Sequence, residues 1–165
     1  MKLLVHDLPA PRAKQIFGNL ADIRVFSPEQ PIHPCRGCFG CWVKTPGACV
    51  LHDAYQQMGR LLAQCSAWII FSRCVYGGFS PFVKNVLDRS IPYLHPDFIL
   101  QNGEMHHRPR YSNQIELSFW FYGTDITEAE KATARALVQA NATNLHGHVR
   151  TVQFLQEPEK WGGSL

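Results

Sequence analysis

The sequence predicts an α/β domain built around a parallel β-sheet, and two patterns support this prediction. Short apolar runs that suit buried strands alternate with segments that suit helices, in the order β-α-β-loop-α-β-α-β-α-β. Strands that alternate with helices pair in parallel through crossover connections, which gives a doubly wound sheet. Ligands bind such sheets beyond the carboxyl ends of the strands.

The first third of the chain supplies two strands, one helix and a long loop. Residues 2–6 are short and apolar, as expected of a strand, and 23–26 form a second short strand. Between them, Pro11 suits the first turn of a helix that runs to about Leu20. The loop 27–50 is rich in proline and cysteine, and a loop of this length in a compact domain is usually functional.

The middle of the chain predicts a helix, a central strand and a second helix. Asp53 is a good N-cap for a helix over 54–65, which has apolar residues at helical spacing. The run Ala67–Phe71 is continuously apolar, as expected of a strand covered on both faces. A glycine-containing loop follows, and Pro81 begins a helix that ends near Arg89.

The last third predicts two strands around one helix. Residues 92–113 are polar and predicted to be irregular, and 115–122 form a strand. Thr127 and Glu130 form a capping box for a helix to about Asn144. Residues 149–155 form the last strand, and the tail 157–165 is predicted to be loose.

Composition narrows the function classes. The chain of 165 residues is 45% hydrophobic and 18% charged, which predicts a single globular domain over 1–165. The net charge of +3 is small and dispersed, so we expect no nucleic-acid partner. The apolar segment at the N-terminus is too short for a signal peptide and is soon followed by polar residues. No apolar run approaches the roughly 20 residues of a membrane span. We therefore expect a cytoplasmic protein with no membrane partner.

Four clustered cysteines indicate metal or thiol redox chemistry. Cys35, Cys38, Cys41 and Cys49 follow the spacing Cys-x2-Cys-x2-Cys-x7-Cys. Cysteines at every third residue let one tight loop present several sulfurs around a small centre, which suits a [4Fe–4S] cluster. Zinc is a second alternative, and a third is a set of reduced thiols or a reversible dithiol pair without metal.

The loop after the central strand is the second candidate site. In Ser72–Ser80, Gly77 and Gly78 permit unusual backbone angles and the close approach of a flat ligand, which Tyr76 and Phe79 would flank. An ordinary connection between a strand and a helix is the alternative.

Several other polar or sulfur-bearing residues have simpler interpretations. We interpret His106 and His107 as solvated loop residues, and Lys84, Asp88 and Arg89 as surface or interface ion pairs. Cys65 lies on an apolar helix face and is predicted to be inert core, and a packed thiol is the simpler interpretation of Cys74.

Four segments between Cys35 and Arg89 resemble the flavodoxin-like NADPH-dependent FMN reductases, which include the iron–sulfur flavoproteins. The segments are Cys-Arg-Gly-Cys-Phe-Gly-Cys-Trp (35–42), Pro-Gly-Ala-Cys-Val-Leu-His-Asp (46–53), Val-Tyr-Gly-Gly-Phe-Ser-Pro (75–81) and Lys-Asn-Val-Leu-Asp-Arg (84–89). They lie in order within the stretch 35–89, which covers about a third of the chain.

The resemblance implies a three-layer α/β/α sandwich with a five-stranded parallel sheet in the order 2-1-3-4-5. It implies FMN at the carboxyl edge, NAD(P)H as reductant, a small-molecule or protein electron acceptor, and a homodimer. Among the iron–sulfur members, a compact four-cysteine motif like this one holds a [4Fe–4S] cluster next to the flavin, whereas other relatives carry similar cysteines and no cluster. The residues it assigns to the cofactor are Pro9, Arg12, Ser72, Arg73, Cys74, Val75, Tyr76, Gly77, Gly78, Phe79, Tyr122 and Gly123.

The loop after the first strand departs from that family's pattern. Family members carry hydroxyl-bearing and glycine residues there, which hold the FMN phosphate, whereas this chain has Asp-Leu-Pro-Ala-Pro-Arg-Ala-Lys over 7–14. A phosphate site needs free N–H groups and hydroxyls, so Arg12 and Lys14 would have to substitute as charges. Arg73 stands where the family commonly has proline.

The sequence therefore supports three hypotheses. The first is a flavin-dependent oxidoreductase that passes electrons from NAD(P)H through FMN. The second is a flavin-free iron–sulfur, metal or thiol redox module. The third is a binding or regulatory domain that has kept the fold and lost the cofactor.

Overall fold

Five parallel strands form the central sheet in the computed structural model, which describes residues 1–163. The sheet strands are β1 (Lys2–His6), β2 (Ile23–Phe26), β3 (Ala67–Arg73), β6 (Glu116–Tyr122) and β7 (His148–Leu155), and a separate pair consists of β4 (Leu94–Gln101) and β5 (Glu104–Pro109). The sheet order is β2-β1-β3-β6-β7, all parallel. Counted within the sheet alone this is 2-1-3-4-5, so the predicted fold class and strand order are confirmed.

Helices cover both faces of the sheet. They are α1 (Ala10–Phe17), α2 (Gly40–Val43), α3 (Met58–Ala63), α4 (Pro81–Asp88) and α5 (Glu128–Asn144). The larger core joins α3, α4 and α5 to one sheet face, through residues such as Leu62, Val86 and Val138. The smaller core joins α1 to the other face, where Phe17 packs edge-on against Phe71 of β3 at 5.2 Å.

The central position of β3 follows from its sequence. Trp68, Ile69, Ile70 and Phe71 are all buried, because β3 lies between β1 and β6 and is covered on both faces. Two of these side chains point to each core, as the alternation of a strand requires.

The prediction of irregular structure over 92–113 is wrong. Strands β4 and β5 form an antiparallel hairpin whose turn, Asn102–Gly103, has positive φ at both residues. Asn-Gly is the residue pair that two-residue hairpin turns favour. The polar composition of this segment concealed its alternation, in which Phe98 and Leu100 of β4 lie opposite His107 and Met105 of β5.

The helix predicted over 54–65 is much shorter than expected. Helix α3 occupies only Met58–Ala63, and its N-cap is Gln57. Asp53 instead accepts a hydrogen bond from the backbone N–H of Tyr55 in a local turn, and its other oxygen accepts from His33 N–H. An Asp side chain that bonds its own backbone two residues on favours a turn over a helix.

The tail is packed rather than loose as far as it is described. Pro158–Lys160 form a 3-10 turn, and Trp161 packs against Phe17 of α1 with ring centroids 5.1 Å apart. The prediction of a loose tail is therefore wrong over 157–163, and residues 164–165 lie outside the described part of the chain. Among the described residues, none of the helices has the length and apolar character needed to cross a membrane.

Candidate functional site

Asp7 joins the carboxyl ends of three strands of the sheet. It follows β1 directly, and its carboxylate accepts hydrogen bonds from the Arg73 backbone N–H at 2.9 Å and from the Tyr122 hydroxyl at 3.0 Å. The Cys74 backbone N–H in turn donates to the Tyr122 carbonyl at 2.9 Å. The ends of β1, β3 and β6 therefore meet around one carboxylate, a role that the sequence pattern did not predict.

The helix that follows β1 offers little to an anion. Pro9 is the N-cap of α1 and provides no side-chain cap, and Pro11 in the first turn has no N–H. Arg12 is paired with Glu159 through its Nε and through a 2.9 Å bond from Nη2 to Oε2. Both partners are partly exposed, so this ion pair contributes little stability. The ion pair does, however, engage the Arg12 guanidinium, which would otherwise have to bind the FMN phosphate in place of free N–H groups and hydroxyls.

The helices that follow β3 and β6 are capped by their own side chains. The Ser80 hydroxyl accepts from the Val83 N–H at the start of α4, where Pro81 again removes a donor. At the start of α5, Thr127 Oγ1 accepts from the Glu130 N–H, and the Glu130 carboxylate accepts from the Thr127 N–H at 2.9 Å. This reciprocal capping box places a carboxylate at the point where an anion would bind.

The turn after β3 packs against α5 and contains an exposed tyrosine. Val75 and Gly78 exchange two backbone hydrogen bonds. Gly77 has φ of +77°, and a Cβ there would lie 2.8 Å from the Glu130 carbonyl and from Thr133 Cβ, so glycine is needed for packing against α5. Tyr76 has φ of +51° and is 89% exposed.

Two residues of the predicted flavin loop point inward. Phe79 is only 7% exposed and stacks on Phe121, with ring centroids 5.3 Å apart. The prediction that its ring flanks a ligand is therefore wrong, because the ring belongs to the core. The Ser72 side chain is also buried, where its hydroxyl accepts from the Ser80 N–H at 2.9 Å and donates to the Arg73 carbonyl.

A shallow cleft lies between the loops after β3 and β6. Its volume is about 140 Å³. Burial raises the pKa of the Cys74 thiol in its wall, so this thiol is protonated at neutral pH. Arg73 is the cation of the lining. The lining residues are Arg73, Cys74, Gly123, Thr124, Asp125, Ile126 and Glu130.

These residues fit one end of FMN and not the other. A cleft whose wall comes from the loop that carries the exposed Tyr76 suits the edge of an isoalloxazine, although the cleft is smaller than the several hundred Å³ of an enclosed ligand pocket. The phosphate end meets Asp7, capped helix starts and an occupied Arg12. The expected phosphate contacts of Pro9 and Arg12 therefore do not form a phosphate site.

The four cysteines of the motif line one small cavity of about 40 Å³. Cys35 and Cys38 are exposed, whereas Cys41 and Cys49 are buried. The rest of the lining comes from the motif loop and from the end of α4 with the segment after it, namely Arg36, Gly37, Phe39, Leu51, Asp88, Arg89, Ile91 and Pro92.

Arg89 forms the charged wall of this cavity. The interpretation of Arg89 as a surface or interface cation is wrong, because Arg89 is 1% exposed and its Nη1 and Nη2 each donate to Asp53 at 2.7 Å. Nη1 also donates to the His33 carbonyl, and the guanidinium lies against the Cys49 thiol. Lys84 and Asp88 do form a surface pair as expected.

The ion pair sets the charge state of Asp53. Burial by itself would raise the pKa of this carboxyl, but hydrogen bonds from Arg89 and from the His33 and Tyr55 N–H groups outweigh burial and hold the pKa at about 2. The Asp53–Arg89 pair is therefore fully ionised at neutral pH. Sequence reasoning missed the pair because its partners are separated by 36 positions.

The quartet as placed does not form a metal ligand set. Within residues 1–163, no group of three or more His, Cys, Asp or Glu side chains is arranged to hold a metal ion. Burial first, and then the neighbouring thiols, raise the pKa of Cys41 to about 11. The Cys41 thiol is therefore protonated at neutral pH in the metal-free protein.

The cysteine cavity and the loop 72–80 lie at opposite ends of α4. None of the residues that line the cavity comes from this loop. Helix α4 has eight residues, so its ends are about 12 Å apart. The cavity is therefore separate from the loop 72–80, and the expectation that the quartet lies next to a bound flavin stays a prediction.

An aromatic layer borders the cysteines, and sequence reasoning missed it. Trp42 of α2 stacks on Phe39 at 5.2 Å, contacts His107 at 4.7 Å, and donates from Nε1 to the Leu94 carbonyl. His107 also stacks on Phe98 at 4.6 Å. The interpretation of His106 and His107 as solvated loop residues is wrong, since both lie in β5 with ring contacts or hydrogen bonds.

Comparisons with known proteins identify the fold. The chain matches no family model and no curated protein. Among solved structures it is similar to azoreductase AzrA, with 10% identity, 93% of this chain and 86% of that chain covered, and a TM-score of 0.57. It is also similar to an azoreductase from Bacillus anthracis str. Sterne, with 10% identity, 95% of this chain and 86% of that chain covered, and a TM-score of 0.54. A third similar structure is the general stress protein 14 of Treponema denticola in complex with FMN, with 12% identity, 96% of this chain and 91% of that chain covered, and a TM-score of 0.51.

These similarities extend over nearly the whole chain at low identity. They agree with the observed strand order and with the helices on both faces of the sheet. The chain therefore has the flavodoxin-like fold.

Proposed function

We propose that this protein is a flavin-dependent oxidoreductase that takes electrons from NAD(P)H at the carboxyl edge of the sheet. The observation that carries the proposal is Tyr76. Its ring is 89% exposed, two residues after Cys74 of the cleft lining, and its backbone is held at φ of +51°, where a bulky residue is strained. Strain of this kind costs about 1–3 kcal/mol and concentrates at ligand sites. A similar structure, the general stress protein 14 of Treponema denticola, is a complex with FMN, and this supports the same proposal.

The chain's own residues position and cover a ring at this edge. The turn over 75–78 is held by its two internal hydrogen bonds and by the packing of Gly77 on α5, so Tyr76 has a rigid support. The backbone of Arg73 is fixed by Asp7. A bound flavin supplies the chemistry itself, in which NAD(P)H loses a hydride and the flavin gains two electrons and a proton. The proposed electron acceptor is a small molecule or a protein.

Flavin binding and reduction test this proposal with matched variants. Tyr76→Ala removes the ring and should weaken flavin binding about tenfold, measured by quenching of flavin fluorescence. Tyr111→Phe is the control, because Tyr111 packs against Tyr93 at another part of the structure. Equal binding by wild-type protein and Tyr76→Ala would contradict the assigned site, and no binding of any flavin would contradict the function.

The second candidate function is a thiol redox centre at the cysteine cavity. The observation that favours it is the buried Arg89. Its Nε has no hydrogen-bond partner among the described residues, and the guanidinium lies against Cys49. A thiolate at Cys49 would accept that hydrogen bond. Two thiols of the quartet would then lose two electrons and two protons to an organic disulfide, forming an internal disulfide and two released thiols.

A thiol count distinguishes this candidate. Treatment with oxidised glutathione should remove a pair of titratable thiols from the wild-type protein and none from Cys49→Ser. Cys65→Ser is the matched control, since Cys65 is buried elsewhere and donates to the Ala67 carbonyl. An unchanged thiol count in wild-type protein contradicts the candidate. Stoichiometric iron and acid-labile sulfide in anaerobically purified protein would contradict the thiol redox centre and would indicate an iron–sulfur centre at the four cysteines.

We also propose that the protein forms a homodimer through one face of the hairpin. Phe98, Leu100 and Met105 are 59%, 81% and 68% exposed, and they share this face with His107. Exposed apolar groups of this size mark interaction surfaces. Sedimentation velocity should show a dimer that dissociates in Leu100→Lys and persists in the remote variant Arg150→Ala. A monomeric wild-type protein would contradict the proposal.

A further inference from the structure

We propose that the carboxyl edge accepts a flavin by its ring and does not recognise its phosphate, so that riboflavin and FMN bind alike. This inference rests on the proposed function and specifies its ligand.

The first support is the state of the helix starts at this edge. Flavin phosphates bind where free N–H groups of a helix start point at them. In α1 the first turn contains Pro11, and in α4 it contains Pro81. In α5 the capping box already satisfies the Thr127 and Glu130 N–H groups. Each of the three helix starts has lost donors to proline or to its own side chains.

The second support is the charge that faces the cleft. Asp125 and Glu130 line it, and Asp7 lies at the adjoining strand end, bonded to the Arg73 N–H. The Arg73 side chain is the cation of this lining. Three carboxylates against one guanidinium oppose the approach of a phosphate dianion, and the effect weakens as salt screens the charges.

The third support is the pairing of Arg12. Its guanidinium bonds both carboxylate oxygens of Glu159, and Glu159 belongs to the 3-10 turn of the packed tail. Because the fork of an arginine matches one carboxylate or phosphate at a time, a phosphate would have to displace Glu159. The tail therefore competes directly with a phosphate for this cation.

Paired titrations of the full-length protein test the inference. Riboflavin and FMN are each titrated by fluorescence quenching, at low and at high ionic strength. We expect dissociation constants that agree within about threefold, with FMN gaining slightly at high salt. An FMN affinity that is about tenfold or more higher than that of riboflavin overturns the inference and leaves the proposed function intact. If neither flavin binds, the proposed function fails and the inference fails with it.

Two variants identify the residues responsible. Glu159→Gln frees Arg12 without touching the sheet, and Asp7→Ser replaces the carboxylate by a hydroxyl. Each should improve FMN binding relative to riboflavin by about three- to tenfold, in a manner that salt weakens. Asp88→Asn is the control, because it removes a carboxylate at the other end of α4. An unchanged ratio in both Glu159→Gln and Asp7→Ser overturns the inference even where the wild-type affinities are equal.

Discussion

The hydroxyl of Tyr122 donates a 3.0 Å hydrogen bond to the carboxylate of Asp7, which joins the last residue of β6 to the residue after β1. Burial first, and then the negative charge of Asp7, raise the pKa of Tyr122, so the phenol stays a donor throughout the usual pH range. The bond spans β3, whose Arg73 N–H contacts the same carboxylate.

Removing this hydroxyl should destabilise the protein. In Tyr122→Phe the Asp7 carboxylate loses a donor in a partly buried site, so the free energy of unfolding should fall by about 1–3 kcal/mol in urea titrations. Tyr76→Phe is the matched control, because the Tyr76 side chain is exposed, and its stability should change by less than about 0.5 kcal/mol. Equal stabilities of the two variants would contradict the role given to Tyr122.

Breaking the buried pair at the cysteine cavity should have a larger effect. Asp53→Asn leaves the Arg89 guanidinium charged and without its carboxylate, which typically costs about 3–5 kcal/mol. Asp88→Asn breaks the exposed pair with Lys84 and should cost less than about 1 kcal/mol. Chemical denaturation of both variants measures the difference, and similar losses would show that Arg89 is not buried as described.

Acid should weaken the protein through Asp53. The pKa of this carboxyl is about 2 in the folded state, below the ordinary value of 3.8, so the folded state binds its proton less readily than the unfolded chain. The resulting stability, about 2 kcal/mol, is present above pH 3.8 and is lost as the pH falls towards 2. Urea titrations between these pH values should show a decline that is smaller in Asp53→Asn. A decline of equal size in both proteins would contradict the assignment.

Alkylation should distinguish Cys41 from the exposed thiols of the motif. Because the pKa of Cys41 is about 11, its modification by iodoacetamide should rise about tenfold per pH unit from pH 7 to pH 10, without a plateau. Mass spectrometry of the tryptic peptides follows each site. Cys35 and Cys38 are exposed and should be modified first, whereas Cys65 should react only on unfolding. A plateau for Cys41 near pH 8 would indicate a stabilised thiolate or a lost metal.

The sheet was predictable from the sequence because its signals are local. The apolar run of β3 and the capping box of Thr127 and Glu130 each specify an element by themselves. The hairpin β4–β5 was missed although Asn102–Gly103 marks its turn, because polar residues interrupt its apolar alternation.

The sites were less predictable because they depend on contacts between distant positions. The spacing of the motif cysteines predicts a site by itself, but nothing adjacent in the sequence shows that Arg89 is buried against Asp53. Similarly, the proline-rich loop after β1 indicated a poor phosphate site, whereas the competition of Glu159 for Arg12 depends on the path of the tail. Composition favours an exposed arginine, and only tertiary packing changes that expectation.

The most direct test of the central claim is an anaerobic absorbance measurement of flavin reduction. Free riboflavin or FMN is mixed with NADH or NADPH, with and without the purified protein, and the visible flavin band is followed in time. We predict that the band bleaches at a rate proportional to the protein concentration, and more slowly with Tyr76→Ala. Bleaching no faster than in the absence of protein, for both flavins and both nicotinamides, would contradict the assignment as a flavin-dependent oxidoreductase.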